Sequence, residues 1–424
     1  MTLTKHATLV DNAIRRRDQT VMAKTMDSRD LMLEKRADEV ANLEPYAYAL
    51  SLINDHITVP QEVIDTAAGA YHEIAYRLVD RLRWPREAIE IHPQGSASTR
   101  TLIRSPRRAK FDIDAVCSVD ISRIEAYDPM SFFDAIGRAL DGLEASAKKR
   151  CWSIDFPNKP FYLEFTPSVP IGTVPAEALD CRRRRMLAPE YRHTALAVVD
   201  TPTEGWKTSN PAGLGKWVDD VSKRPLVTAL LLEKAARKVT ADVAPVPEQS
   251  INIVDTLRIA IRLFKRHRDM CVYRNFIEAE FQPISIILVT LLTICYDGLA
   301  DLGRVYPNPV RLLVDLVGLL PHMVEKLPDL GYYVGNPTVE GENFAERWNT
   351  DNGERAEAFR TWCRILQADL RTILAASERK EIEAKAREVF GCRADNAPSG
   401  SGGPTPTAIT RRPPPPAPRT SGLA

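Results

Sequence analysis

At 424 residues the chain is too long for one ordinary hydrophobic core, so two lobes with appendages are expected, with room for a buried cleft. Its 57 lysines and arginines offset 56 aspartates and glutamates to leave a net charge of +1. That balance supplies no global field for gripping a long polyanion, and no stable nucleic-acid partner is expected.

The seven cysteines, Cys117, Cys151, Cys181, Cys271, Cys295, Cys363 and Cys392, stand singly, without a C-x-x-C pair or clustered histidines. This argues against a disulfide framework and a zinc site and fits a reducing cytoplasm. No apolar signal core opens the chain, and the most apolar run, 284–295, is too short to span a bilayer. A soluble, cytoplasmic protein with no membrane partner is expected.

Residues 1–59 read as a solvated helical lead-in with a helix over 28–42 and the run Arg15-Arg16-Arg17. Pro60 then opens a helix in which Val63, Ile64, Ala67, Tyr71, Ile74, Ala75, Leu78 and Leu82 recur at intervals of three and four, and Trp84-Pro85 ends it. So wide an apolar stripe is expected to pack against both lobes as a spine.

A short strand over 88–91 leads to Gly95-Ser96, a loop rich in Arg100, Arg104, Arg107, Arg108 and Lys110, and a strand over 111–119. In that strand Phe111, Ile113 and Ala115 point one way and Asp112 and Asp114 the other, so two carboxylates stand side by side. Two such groups in a partly dry cleft raise each other's pKa unless a divalent cation neutralises them. Glycine lets backbone approach a phosphate, and serine adds a hydroxyl. Together these residues suggest a site for a nucleoside triphosphate and Mg²⁺.

An amphipathic helix follows over 128–143, entered through Asp128-Pro129. Two strands over 152–156 and 161–165 are joined by the turn Pro157-Asn158-Lys159-Pro160. In the second, Phe161, Leu163 and Phe165 share one face and Glu164 the other, which adds a third carboxylate. Three acids on neighbouring strands is the arrangement expected of a two-metal phosphoryl-transfer site. The four arginines at 182–185 are expected to be solvated or paired with acids, with polyanion binding as the alternative reading. Around Trp206 and Trp217 two readings stand: a loop stapled to the core by tryptophans, or a wall on which a base stacks.

From about residue 225 the pattern is helical. Val254, Leu257, Ile261 and Phe264 form an apolar stripe opposite Arg258, Arg262, Lys265 and Arg266, a basic face expected in solvent, from which Lys265 could reach a triphosphate. Pro283-Ile284-Ser285 opens an apolar helix central to this lobe, and helices over 309–320 and 352–376 follow. Past Cys392 the Pro/Gly/Ser-rich composition has almost nothing to bury and reads as a disordered tail.

In order and spacing, Gly95-Ser96, Thr101, Asp112, Asp114 and Glu164 within Tyr-Leu-Glu-Phe-Thr-Pro resemble the signature of DNA polymerase β-like nucleotidyltransferases. Leu263-Phe264-Lys265-Arg266-His267-Arg268-Asp269, Pro283-Ile284-Ser285-Ile286-Ile287, 206–211 with Trp217, and Asn336-Pro337 with Glu342-Asn343-Phe344 and Trp348 are similar to one branch, the CD-NTase family of bacterial cGAS/DncV-like nucleotidyltransferases. The resemblance spans roughly residues 61–376.

It implies an α+β fold: a nucleotidyltransferase sheet lobe with a long spine helix over 60–225, facing a helical lobe over 226–392, with the tail at 393–424. It implies synthesis of a cyclic di- or trinucleotide second messenger from nucleoside triphosphates, ATP among them, in the CBASS anti-phage response. Carried over by position, Gly95 and Ser96 hold the donor triphosphate, Asp112, Asp114 and Glu164 are catalytic and bind two Mg²⁺ ions, with Mn²⁺ as a substitute, and Lys265 and Ser285 touch phosphates. CBASS accessory proteins are implied partners, including an E1/E2-like enzyme acting on Ala424.

Two positions depart from the pattern: Glu164 where many members carry Asp, and Arg100 where some carry Gly. Linear oligonucleotide synthesis or RNA tailing needs the same three acids, but the near-neutral charge counts against a long polyanionic substrate. A silent interaction module has no need of the complete acid set.

Overall fold

The computed structural model describes residues 3–23, 44–106, 110–123, 128–174, 189–227, 255–339 and 342–392. The helix expected over 28–42, Arg107 and Arg108, the arginine run at 182–185 and the tail through Ala424 lie outside the described residues.

Alternating apolar residues make β2 (Phe111–Val119) the organising strand of a seven-stranded sheet. β1 (Ile89–Pro93) pairs with it antiparallel and β5 (Phe161–Pro170) parallel. β5 is long enough to hold two more antiparallel neighbours in succession, β4 (Trp152–Asp155) along its first half and β6 (Leu196–Asp200) along its second. β3 (Glu144–Ala147) pairs with β4, and β7 (Gly205–Ser209) with β6. The parallel register sets Asp114 opposite Glu164. Residues opposite one another on paired strands point to the same face, so the third carboxylate arrives beside the first two.

The other face is apolar. Ile113, Ala115 and Cys117 of β2 and Phe161, Leu163 and Phe165 of β5 are buried in one cluster with two helices, α3 (Gln61–Leu82) and α4 (Pro129–Ala139). Asp128 caps α4, its carboxylate accepting the Ser131 N–H at 2.6 Å. The buried stripe of α3, Ile64, Ala67, Ala70, Tyr71, Ile74 and Leu78, lies wholly in this cluster rather than being shared between lobes.

The second lobe is built from α5 (Pro211–Ser222), α6 (Thr256–Tyr273), α7 (Ser285–Asp301), α8 (Pro309–Met323), α9 (Glu354–Ala375) and α10 (Arg379–Val389), with a hairpin of β8 (Glu325–Leu327) and β9 (Gly331–Tyr333). α7 is apolar on nearly every face and runs through the middle, as its composition predicts. The described residues before 60 are not a solvated lead-in. α1 (Lys5–Ala23) buries Val10 and Ala13, and α2 (Glu44–Ile57) buries Ile53 and Ile57, in the helical lobe's core. Arg16 and Arg17 pair with Glu325 at 2.8 Å and Asp315 at 3.0 Å, tying α1 to that lobe. Among the described residues no helix is long and apolar enough to cross a membrane.

Candidate active site

β1 ends at Pro93, and the chain passes through Gln94 into a single helical turn, Gly95–Ser98. Gly95 has a φ of +57°, and a Cβ there would stand 2.1 Å from Asp114 Oδ2. Glycine alone meets both demands, and it lets the turn lie directly against the carboxylate. The Ser96 backbone N–H favours the ionised form of that carboxylate. The Asp114 carbonyl accepts the Gln94 N–H at 2.9 Å and the Tyr71 hydroxyl at 3.1 Å, so α3 and β1 together fix this point of β2.

Asp114 and Glu164 are 5% and 1% exposed, and Asp112 is half-buried. Burial raises the Asp112 carboxyl above its ordinary range. It raises Asp114 well above it, and the charges of Asp112 and Glu164 push further the same way; Lys265 and the Ser96 N–H oppose them. Oδ1 of Asp114 is buried with no hydrogen-bond partner. An orphaned carboxylate oxygen between two other acids fits a divalent cation, which would restore ionisation and supply the missing contact. Among the described residues no three His, Cys, Asp or Glu side chains gather closely enough to enclose an ion by themselves. A cation at this pair therefore draws further ligands from outside the chain, as phosphate oxygens provide.

Across from the acids, a cavity of about 230 Å³ opens between the lobes. Gly95, Ser96, Asp112 and Asp114 border it on one side and Lys265 and Ser285 on the other. Glu164 sits one strand further in, beside Asp114, with the Cys151 thiol 3.8 Å from its Oε2. Lys265, 3% exposed, donates to Ser96 Oγ at 2.7 Å and to the Thr101 carbonyl at 2.9 Å. Burial lowers its amine to about 8, helped by the Arg268 charge and opposed by Asp269, Asp112 and Asp114. Ser285 is the first residue of α7, and its hydroxyl accepts from Arg268 at 3.2 Å. The same guanidinium holds the Pro283 carbonyl at 2.9 Å and the Asp269 carboxylate at 2.6 Å.

Arg268 and Asp269 border the cavity and were not among the expected site residues, although they lie one helical turn beyond Lys265 on α6. Gln94 also borders it, with both amide atoms buried and without a hydrogen-bond partner. Asn336, Glu342 and Phe344 complete the far wall. The base-stacking wall of tryptophans is not present. Trp206 packs on Phe132 at 5.8 Å inside the sheet core and Trp217 on His6 at 5.8 Å inside the helical core, and neither borders the cavity. Nor is the basic face of α6 in solvent: Arg258, Arg262 and Arg266 are at most 2% exposed.

A central parallel strand pair carrying three carboxylates under a Gly-Ser turn, with a helical lobe across the cleft, is a nucleotidyltransferase fold. No family model matches the chain. A c-di-GMP synthase from Roseivirga ehrenbergii is 25% identical over 308 residues, 72% of this chain and 72% of that protein. Among solved structures, the CD-NTase CdnG of Bradyrhizobium diazoefficiens in complex with GTP is similar over 84% of this chain and 99% of its own, with a TM-score of 0.55 at 20% identity. CdnC from E. coli MS115-1, solved with ATP, is similar over 81% of this chain and 97% of its own, with a TM-score of 0.51 at 11% identity. The chain is thus similar in sequence to a cyclic-dinucleotide synthase and in fold to CD-NTases.

Proposed function

We propose that this protein joins nucleoside triphosphates into a cyclic dinucleotide or trinucleotide with release of pyrophosphate. The observation that carries the reading is Asp114: a buried carboxylate in register with Glu164, two residues from Asp112, with one oxygen orphaned and the Gly95-Ser96 backbone pressed against the other. The similarity to a c-di-GMP synthase supports a cyclic dinucleotide as product.

In this reading Asp112, Asp114 and Glu164 hold divalent cations, Mg²⁺ with Mn²⁺ as a substitute. When bound there, the cations supply charge neutralisation at the transferred phosphate and its leaving group. The backbone of Gly95 and Ser96 approaches the donor phosphates, and Lys265 and Ser285 meet them from the helical lobe. Lys265 already touches Ser96 Oγ, so it can pass from hydroxyl to phosphate with little movement. Glu164, furthest from the mouth, helps take the acceptor hydroxyl's proton, directly or through water. The resemblance that suggests this chemistry also implies a CBASS anti-phage role for the product.

The test is to incubate the protein with all four ribonucleoside triphosphates and Mg²⁺, digest with phosphatase and weigh the products by mass spectrometry. A phosphatase-resistant species with the mass of a closed dinucleotide or trinucleotide is expected. Linear products alone would replace this reading with template-free tailing.

A further inference from the structure

Positive charge flanks the three acids on both sides. On one side stand Lys265 and Arg268 with the Gly95-Ser96 turn. The sheet order β1-β2-β5-β4 carries a line from that turn across Asp114 on β2 and Glu164 on β5 to Ser153, opposite Glu164 on β4. The turn entering β4 holds Lys149 and Arg150, next to the Cys151 that lies beside Glu164. From the helical lobe Arg347, three residues beyond the cavity-lining Phe344, acts electrostatically on both. Resting on the proposed reading, in which one nucleotide donates and a second accepts, we propose that Lys149 and Arg347 hold the triphosphate of the accepting nucleotide.

The neighbouring cations are already matched. Arg150 donates to the fully buried Asp200 at 2.8 Å, Lys207 stands 3.5 Å from the same carboxylate, and the Thr203 hydroxyl donates to it at 2.7 Å. Arg355 pairs with Asp351 at 2.8 Å. Lys149 and Arg347 have no such partner. Both are half-buried, and among the described residues neither side chain makes a hydrogen bond or an ion pair. Burial lowers the pKa of each; the Arg150 charge pushes Lys149 the same way, as Arg355 and Arg150 push Arg347, while Asp200 and Glu346 oppose. Two half-buried cations that repel each other across a cleft are relieved by an anion between them.

The chemistry calls for such an anion there. In the transfer the acceptor oxygen bonds the donor's α-phosphorus, its proton passes to Glu164 or water, and pyrophosphate leaves with the electron pair of the broken bond. Attacking and leaving oxygens lie roughly in line, so the acceptor enters from the side opposite the Gly95-Ser96 turn. That is the side of Glu164 and of Lys149. The acceptor's own triphosphate passes through this step unbroken and requires counter-charge separate from the donor's. A guanidinium offers paired donors to phosphate oxygens, and an ammonium adds a compact charge.

The backbone at both residues is held without their side chains. The Lys149 carbonyl accepts the N–H and the hydroxyl of Thr201 at 3.0 Å each, and the Lys148 N–H closes the turn on the Cys151 carbonyl at 2.8 Å. Arg347 sits in the helical turn Glu346–Asn349, its carbonyl accepting the Thr350 hydroxyl at 3.2 Å.

The test measures transfer, with Mg²⁺ and ATP or GTP labelled at the α-phosphate, to acceptors that cannot themselves donate. The α,β-methylene analogues of ATP and GTP keep the triphosphate, whereas AMP and GMP lack it, and mass separates the products. The wild type should use the methylene triphosphates with a kcat/KM at least roughly tenfold above that of the monophosphates, the scale of one charge-assisted hydrogen bond. Lys149→Gln and Arg347→Gln should each shrink that ratio, and the double variant should erase it while melting at or above the wild-type temperature. In chelator, inorganic tripolyphosphate should raise the melting temperature of the wild type more than that of the double variant. Equal use of triphosphate and monophosphate acceptors by the wild type, or an undiminished ratio or tripolyphosphate shift in the double variant, would overturn the proposal while leaving cyclic synthesis intact. Absence of product from every pairing would overturn the synthase reading and this proposal together.

Discussion

Gly95 and Asp114 are in van der Waals contact across the floor of the cleft, so close that a methyl group on the glycine would overlap the carboxylate oxygen at 2.1 Å. The left-handed backbone at Gly95, φ +57°, disfavours a side chain independently of that overlap. Gly95→Ala should therefore cost about 1–3 kcal/mol through strain, as substitutions at special backbone positions do. A thermal melt reads that loss. Activity should fall by more than the melt implies, because the turn must move off Asp114, and nucleotide binding measured on the folded fraction checks it.

Arg266 is 1% exposed and spends its donors on three carbonyls: Phe390 at 2.8 Å, Gly391 at 3.1 Å and Arg104 at 3.1 Å. Burial lowers its pKa, yet it bridges the end of α10 to the loop that continues from the Gly-Ser turn. Arg266→Met keeps much of the volume and leaves those carbonyls without their donor. Each buried carbonyl stripped of its donor costs about 1–3 kcal/mol. The variant should melt several degrees lower, with amide exchange accelerated first in α10. Uniform exchange throughout the chain would show that Arg266 is not the link.

His267 is fully buried on the same helix. Its Nδ1 accepts the Trp362 indole N–H at 3.1 Å, so the proton lies on Nε2, which faces Asp369 at 3.0 Å. Burial depresses its pKa below the usual value, with Arg274 acting the same way and Asp369 opposing. A histidine held neutral in the fold and free to charge when unfolded binds fewer protons in the native state. Stability is then complete above the unfolded pKa of about 6.5 and is lost as pH falls below it. Denaturation at pH 7.5 and 5.5 should show a decline in the wild type that His267→Gln reduces. Equal slopes would mean that His267 carries no such linkage.

The alternation in β2 and β5 was enough to place Asp112, Asp114 and Glu164 opposite the apolar face, because a period of two is local and depends on no distant partner. The apolar run of α7 likewise marked the centre of the helical lobe. What failed was reading polarity as exposure. Arg258 donates to the Thr99 carbonyl at 3.0 Å, and Arg266 to Phe390 and Gly391, partners more than 120 residues away in sequence that no helical periodicity can reveal.

The same limit hid the tryptophans' places. Trp206 lies on β7, within a segment too short and too close to Pro211 to read as a strand, and its burial comes from Phe132 on α4. Glu342 and Asn336 meet the site through a hairpin whose position depends on α9 and on the hydrogen bonds of Asn343.

The central claim is that the acids at Asp114 exist to hold a cation, and the most direct measurement is thermal melting of the wild type and Asp114→Asn with and without Mn²⁺. Asparagine removes a repelling charge from a buried pair, so in chelator the variant should melt at or above the wild-type temperature. Mn²⁺ should then raise the wild type and leave the variant unmoved. A variant that melts well below the wild type, together with a wild type indifferent to Mn²⁺, would make Asp114 a structural residue and contradict the account.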